Sequence, residues 1–353
     1  VSVPIGNDVS LSGGTVEVEG RVGNGSYASL GSAVTLSSLD LLKDKLISIS
    51  DSQLAVHPNY GQGKVLILRG VLTDVAGNKK EGSPSSNTLI IDTVVPTASL
   101  SYTVAGVLVS QVKQGTEVLV TATLSEPIAV APVLQITGSG SNTVSAVDMT
   151  RGSSTSYSYS WTVGVGDGNS NFVVSVGKDL AGNVILATPT SGGLIIVDNT
   201  APLLFTTGVV SVSGGEVESG YWNGSNSGLT VSVPIGNDVS LSGGTVEIEG
   251  RVGNGSYASL GSAVTLSSLD LSKDKVVTLS SLSTVLSSLT GYEQGVVLSF
   301  RAFLTDVAGN KKEGSPSSNT LIIDTGVPVD FTTGVVSVSG GVVESGYWNG
   351  SNS

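Results

Sequence analysis

The chain has 353 residues, enough for two or three domains that each bury a core of their own. With 47 glycines, 12% charged residues and a mean hydropathy of +0.29, it is neither a charge-driven disordered chain nor a helical one by propensity. A net charge of −12 argues against nucleic acid as a partner, and the lack of cysteine removes disulfides and thiolate metal sites.

In chain order, the first message is repetition. Residues 1–41 return at 231–271 with one change, Val18 against Ile248, at an offset of 230. Residues 72–93 return without change at 304–325, at an offset of 232. Two extra residues therefore fall in the divergent stretch between, which is read as a loop whose length the core does not fix. A looser third copy runs Lys178-Asp179-Leu180-Ala181-Gly182-Asn183 and then Gly193 to Thr200. Each copy reads as the last hairpin of a domain: an Asp-x-Ala-Gly-Asn loop, an apolar strand, Asp-(Thr/Asn), and a Pro shortly after. The expected domains are 1–94, a long-type repeat lacking its first strand region, 95–199, a short-type repeat, and 200–325, a complete long-type repeat. Residues 326–353 then begin a further long repeat, since 331–341 match 205–215 and 344–353 match 218–227. Val1 opens on a strand pattern, so any export signal is expected to lie outside this sequence.

The strands announce themselves by alternation. Val16, Val18 and Val22 alternate with Glu17, Glu19 and Arg21. Tyr157, Tyr159 and Trp161 share a face opposite the hydroxyls of Ser158 and Ser160. Leu298, Phe300 and Leu304 face in while Ser299 and Arg301 face out. A period of two with one wet face is the mark of half-buried antiparallel strands. Turn signals such as Gly23-Asn24-Gly25 and Ser213-Gly214-Gly215 separate them, because Gly and Asn reach positive φ cheaply. The one helical hint is 283–289, and no apolar run approaches the roughly 18 residues of a membrane helix, so no membrane insertion is expected. The expected fold is all-β: tandem immunoglobulin-like β-sandwich domains in an elongated array.

The Asp-x-Ala-Gly-Asn loops, the strands after them and the terminal Asp-(Thr/Asn) with its Pro resemble the bacterial immunoglobulin-like (Big) tandem repeats of giant secreted surface adhesins. Residues 112–127, Val-Lys-Gln-Gly-Thr-Glu-Val-Leu-Val-Thr-Ala-Thr-Leu-Ser-Glu-Pro, look like that family's second strand and following loop. Gly220-Tyr221-Trp222-Asn223-Gly224 looks like part of a related repeat type. The resemblance implies an extracellular location on the bacterial cell surface, and calcium where domains join. In an immunoglobulin-like sandwich, the loop between the second and third strands and the loop before the last strand share the pole at which the chain enters. That places Asp92, Glu126 and Asp179 together, with Asn183, and Asp198, Asp238 and Asp306 together, with Asn199 and Asn310. Asp8 and Asp74 await a linker Asp from upstream, and Asp324 is the linker Asp facing the next repeat. Three carboxylates plus carbonyls and water would satisfy calcium. The same Asp and Asn residues can equally make turns by bonding to nearby backbone N–H groups.

Other residues point elsewhere. Asp167-Gly168-Asn169-Ser170-Asn171 has the outline of a calcium loop without the twelfth-position Glu, and a hairpin turn fits it better. Trp222 and Trp348 could stack on sugars if exposed, and otherwise cover a core edge. His57, the sole histidine, reads as a surface residue of the divergent loop. No catalytic constellation is visible, so no enzyme activity is expected. Three functions remain in view. The chain is a stalk or fibre segment whose partners are neighbouring repeats, with an unidentified distal receptor. Or it is a filament subunit in which 326–353 of one copy completes 1–94 of the next. Or it carries carbohydrate-binding modules, which would need both tryptophans exposed.

Overall fold

Alternation on paper becomes alternation in burial. In the computed structural model, which describes residues 1–352, Val16, Val18 and Val22 are buried while Glu17, Glu19 and Arg21 stay half-exposed on the opposite face. Ser353, last in the repeated tail segment, lies outside the described residues. The chain folds as two compact units, one of Val1–Ser110, Thr116–Val163 and Asn169–Ile195, the other of Gln111–Gly115, Gly164–Gly168 and Ile196–Ser353.

In the first unit the chain runs β1 (Ser2–Pro4), β2 (Thr15–Val22), β3 (Asp44–Leu46), α1 (Asp51–Ala55), β4 (Val65–Thr73) and β5 (Leu89–Ile90). Strand β1 pairs with β3, while β2 pairs with β4 from Thr15↔Thr73 to Val22↔Leu66, and β5 adds to β4 at Leu66↔Leu89. A complete sandwich follows. Its strands are β6 (Ala98–Val104), β7 (Gln111–Val112), β8 (Glu117–Leu124), β9 (Val133–Thr137), β10 (Val144–Asp148), β11 (Ser156–Thr162), β12 (Gly168–Ser175) and β13 (Leu194–Val197). The sheet orders β6-β8-β11 and β13-β12-β9-β10 are the A-B-E and G-F-C-C′ orders of an immunoglobulin-like sandwich. Trp161 packs edge-on to Phe172 at 5.7 Å and Tyr102 tilts against the same ring at 4.9 Å, so the aromatic face is the packed one.

In the second unit, Gln111 and Val112 of β7 pair in parallel with Ile196 and Val197 at the end of β13. The long repeat follows as β14 (Val210–Ser213), β15 (Tyr221–Asn223), β16 (Gly228–Ile235), β17 (Thr245–Val252), β18 (Lys273–Leu279), α2 (Ser283–Ser287), β19 (Val297–Thr305) and β20 (Leu321–Asp324). Its sheets run β14-β16-β18 and β15-β20-β19-β17, the same plan. Val210, Val212 and Trp222 join Leu229, Phe300 and Ile323 in one continuous core.

Two expectations need correction. The divergent stretch is not a free loop: it contains α1 or α2 and most of β4 or β19, and Leu286 of α2 is fully buried in the core. A capping box between Ser50 and Gln53 fixes the start of α1. Nor is His57 a surface residue. It is buried at the place that Leu289 holds in the later copy, with Nδ1 accepting the Asn59 N–H (3.3 Å) and Nε2 donating to the Gly20 carbonyl (2.9 Å). An imidazole whose two nitrogens are both satisfied can occupy a core position that sequence polarity forbids. No helix among the described residues is long and apolar enough to cross a membrane.

Candidate cation and linker site

The site is built on the Asp-x-Ala-Gly-Asn loop. Its Gly must take positive φ (+87° at Gly77, +96° at Gly182, +89° at Gly309), a conformation an L side chain resists. The turn brings the Asn back over the Asp. In the first copy Asp74 Oδ1 accepts the N–H groups of Ala76 (2.9 Å) and Asn78 (2.8 Å), and its Oδ2 accepts Asn78 Nδ2 (2.8 Å). Asp179 and Asn183 repeat the last two bonds at 2.9 and 2.8 Å, and Asp306 and Asn310 at 2.8 and 2.9 Å. These donors hold the Asp74 carboxyl below the usual carboxylate range, Asn78 acting first through its side chain and then its backbone. Burial pushes the Asp179 carboxyl up, but the Asn183 side chain and the N–H groups of Asn183, Gly182 and Ala181 outweigh it, and the net direction is down.

The second amide hydrogen of the Asn does something more. Asn183 Nδ2 donates to the Asp92 carbonyl at 3.1 Å, and Asn310 Nδ2 donates to the Asp198 carbonyl at 2.8 Å. In both places the loop Asn ties the linker backbone to the repeat that follows it.

Around the first of these ties, carboxylate oxygens of Asp92, Glu126 and Asp179 all lie within 4.8 Å of one another. Burial and then the charges of Asp92 and Asp179 push the Glu126 carboxyl up. Three acids at this spacing, one of them buried, form a donor set that a hard cation such as calcium matches. The corresponding Asp198, Asp238 and Asp306 are more widely set. Burial raises the Asp198 carboxyl, the Thr200 N–H opposes it, and Asp306, Asp167 and Asp238 add to the rise. Asp8 and Asp238 cap short 3₁₀ turns, accepting Ser10 N–H at 2.9 Å and Ser240 N–H at 3.0 Å. Asp324 ends β20, opposite Asn223.

Further linker residues escaped the sequence. Gln62 Nε2 donates to Asp92 Oδ1 (2.5 Å) while its Oε1 accepts the Thr93 N–H (2.9 Å), and Gln294 accepts the Thr325 N–H at 2.9 Å. The signal was present: Tyr-x-Gln-Gly survives at both Tyr60 and Tyr292 within otherwise divergent stretches. Asp167 accepts the Asn199 N–H and the Thr200 hydroxyl, each at 2.7 Å, so the apparent calcium loop is a turn that holds the next linker. Asn199 in turn accepts the Gln114 N–H at 2.5 Å, and Lys113 donates to the Gly309 carbonyl at 2.5 Å. Trp222 is buried, which removes it as a sugar-stacking platform, whereas Trp348 is exposed.

No family model and no curated protein matches this sequence. Among solved structures, the chain resembles one described as "host cell surface retention of a 1.5-MDa bacterial ice-binding adhesin", at 15% identity and a TM-score of 0.37, with 91% of this chain and 94% of that one covered. The FN1–FN3 domains of chicken CNTN1 align at 12% identity and a TM-score of 0.36, covering 88% and 90%. A tetra-tandem repeat from the extending region of a large adhesion protein aligns at 17% identity and a TM-score of 0.31, covering 88% of this chain and 67% of that one. At these identities and scores, the likenesses carry no information about function.

Proposed function

We propose that the chain is a structural segment of a large extracellular bacterial surface protein, serving as a stalk or fibre whose sandwiches in series hold a distal part away from the cell. One observation carries this reading: the Asn of the repeated loop is bonded to the carbonyl of the preceding linker, at Asp92 and again at Asp198. A tie of this kind limits bending between successive repeats, and stiffness turns chain length into reach. Calcium or a similar hard cation held by Asp92, Glu126 and Asp179 would reinforce the first tie by neutralising three carboxylates that otherwise repel. The partners on this reading are neighbouring repeats. Small-angle scattering and negative-stain microscopy on the wild type and on a double Asn183→Ala, Asn310→Ala variant test it. Thin rods that become bent or shorter on substitution are expected; a wild type as flexible as the variant refutes the stalk.

A further inference from the structure

One tripeptide, Asn-Gly-Ser, stands in two kinds of backbone. At Asn24 and Asn254 it forms a hairpin tip, between β2 and its paired residues 28–29 and between β17 and its paired residues 258–259. At Asn223 it begins on the last residue of β15. The three residues are the same in each place, so a difference in their reactivity is set by the fold.

At the hairpin tips the carboxamides are free. Gly23 and Gly253 turn the chain at φ +58° and +52°, as glycine does without strain, and Asn24 and Asn254 after them are exposed. Neither Asn side chain has a hydrogen-bond partner among the described residues. The amide that follows is held by a single turn bond: the Gly25 N–H donates to the Val22 carbonyl at 3.2 Å, and the Gly255 N–H to the Val252 carbonyl at 2.9 Å.

Asn223 is held on every side. Its backbone lies in a parallel strand pair opposite Asp324, and its N–H donates to Asn226 Oδ1 at 2.7 Å. Its Nδ2 donates to the Glu216 carbonyl at 2.8 Å, while its Oδ1 accepts the Ser225 N–H at 2.9 Å and the Ser225 hydroxyl at 2.7 Å. The neighbouring Trp222 is 1% exposed and anchors the strand in the core. To reach the Gly224 nitrogen, the Asn223 carboxamide would have to leave all three of its own bonds.

We propose that Asn24 and Asn254 are sites of spontaneous deamidation, one in each long repeat, and that the fold protects Asn223 from the same reaction. The deprotonated nitrogen of Gly25 or Gly255 attacks the Cγ of the preceding Asn. A new N–Cγ bond closes a cyclic imide, the Cγ–Nδ2 bond breaks, and Nδ2 leaves as ammonia with the proton the backbone nitrogen gave up. Water then opens the imide at either carbonyl, leaving aspartate or isoaspartate. Glycine at the attacking position has no side chain to obstruct the approach. Each event adds one negative charge, so completion at both tips takes the net charge from −12 to −14. That charge arises three residues from Arg21 and Arg251, which stack on Tyr27 and Tyr257 at 5.4 and 4.6 Å and whose buried Nε groups have no hydrogen-bond partner among the described residues. The new carboxylate thus enters a hairpin whose cation lacks a partner.

The 353-residue chain, held folded at mildly alkaline pH, is sampled over time by peptide mapping with mass spectrometry, and isoaspartate is labelled with an isoaspartyl methyltransferase. Conversion at Asn24 and Asn254 should run roughly 100-fold faster than at Asn223, since three side-chain hydrogen bonds each slow the step about fivefold. In denaturant the three sites should convert at one rate, because the tripeptide is then all that distinguishes them. Ser225→Ala removes one of the three bonds at an exposed residue and should speed conversion at Asn223 about fivefold, with unchanged circular dichroism. Asn223 converting as fast as Asn254 in the folded chain overturns the proposal. So do hairpin tips that stay intact when folded yet convert when denatured, or a Ser225→Ala variant whose Asn223 converts no faster.

Discussion

Glu126→Gln should change sign with the solvent. The carboxylate oxygens of Asp92, Glu126 and Asp179 lie within 4.8 Å of one another. Two unit charges at that distance repel by roughly 1 kcal/mol in a water-like dielectric and by roughly 3.5 kcal/mol at an effective constant of 20. Glu126 is half-buried and open to solvent screening, so the lower figure applies, and the substitution removes two of the three pairs. In chelator, the variant should therefore be more stable by about 1–2 kcal/mol, a rise in Tm of about 4–8 °C per kcal/mol for a domain of this size. In calcium the order should reverse. A cation at 100 times its Kd stabilises the wild type by about 2.7 kcal/mol, and a variant with one carboxylate fewer captures only part of that. The pH dependence carries the same sign. The Glu126 carboxyl is raised above its usual 4.5, so the folded state binds the proton more tightly. Without cation, stability then falls as pH rises from 4.5 through the folded value, a slope that the Gln variant lacks. Differential scanning calorimetry in chelator and in excess calcium measures all of this. If the variant melts below wild type in chelator, the repulsion is absent; if the order is the same in both solvents, no cation binds there.

Other consequences are simpler to check. Asn310→Ala removes the donor to the Asp198 carbonyl and to Asp306 Oδ2 and should cost about 1–3 kcal/mol in urea denaturation. Trp222→Ala, which empties a fully buried site, should cost about 3–5 kcal/mol, whereas Trp348→Ala should leave the monomer's melting unchanged. Asp270 is held down to about 2, first by its hydrogen bond from Lys275 and then by the Ser267 N–H and hydroxyl. Its stabilisation is complete above the usual 3.8 and is lost as pH falls through about 2. The difference between wild type and Asp270→Asn should therefore shrink across that window in acid titrations of stability; a constant difference would refute the assignment.

Much of the fold was legible in the sequence because a strand with one wet face writes its burial directly into every second residue. Val16, Val18 and Val22, or Leu298, Phe300 and Leu304, needed no tertiary information to be placed inside. Repetition added the rest of the outline, and the sandwich sheet orders confirm the fold it implied. His57 and Leu286 were not legible, because a short helical turn has too few residues to show a period, and its burial depends on which sheets lie above it.

The site divides along the same line. Sequence gathered Asp92, Glu126 and Asp179 by the pole they share, and their carboxylate oxygens lie within 4.8 Å of one another. It could not say that Asp198, Asp238 and Asp306, built from a similar motif, would stand further apart, since loop geometry sets such distances and not the motif. Nor could it show that the Asn of the repeated loop spends its second amide hydrogen on the linker, because a hydrogen bond across roughly a hundred residues exists only once both ends are placed. The sequence by itself determined which residues recur and which face inward, both being local properties of composition and period. Only the tertiary structure decided which recurring residues meet, because meeting is a property of chain segments far apart in sequence.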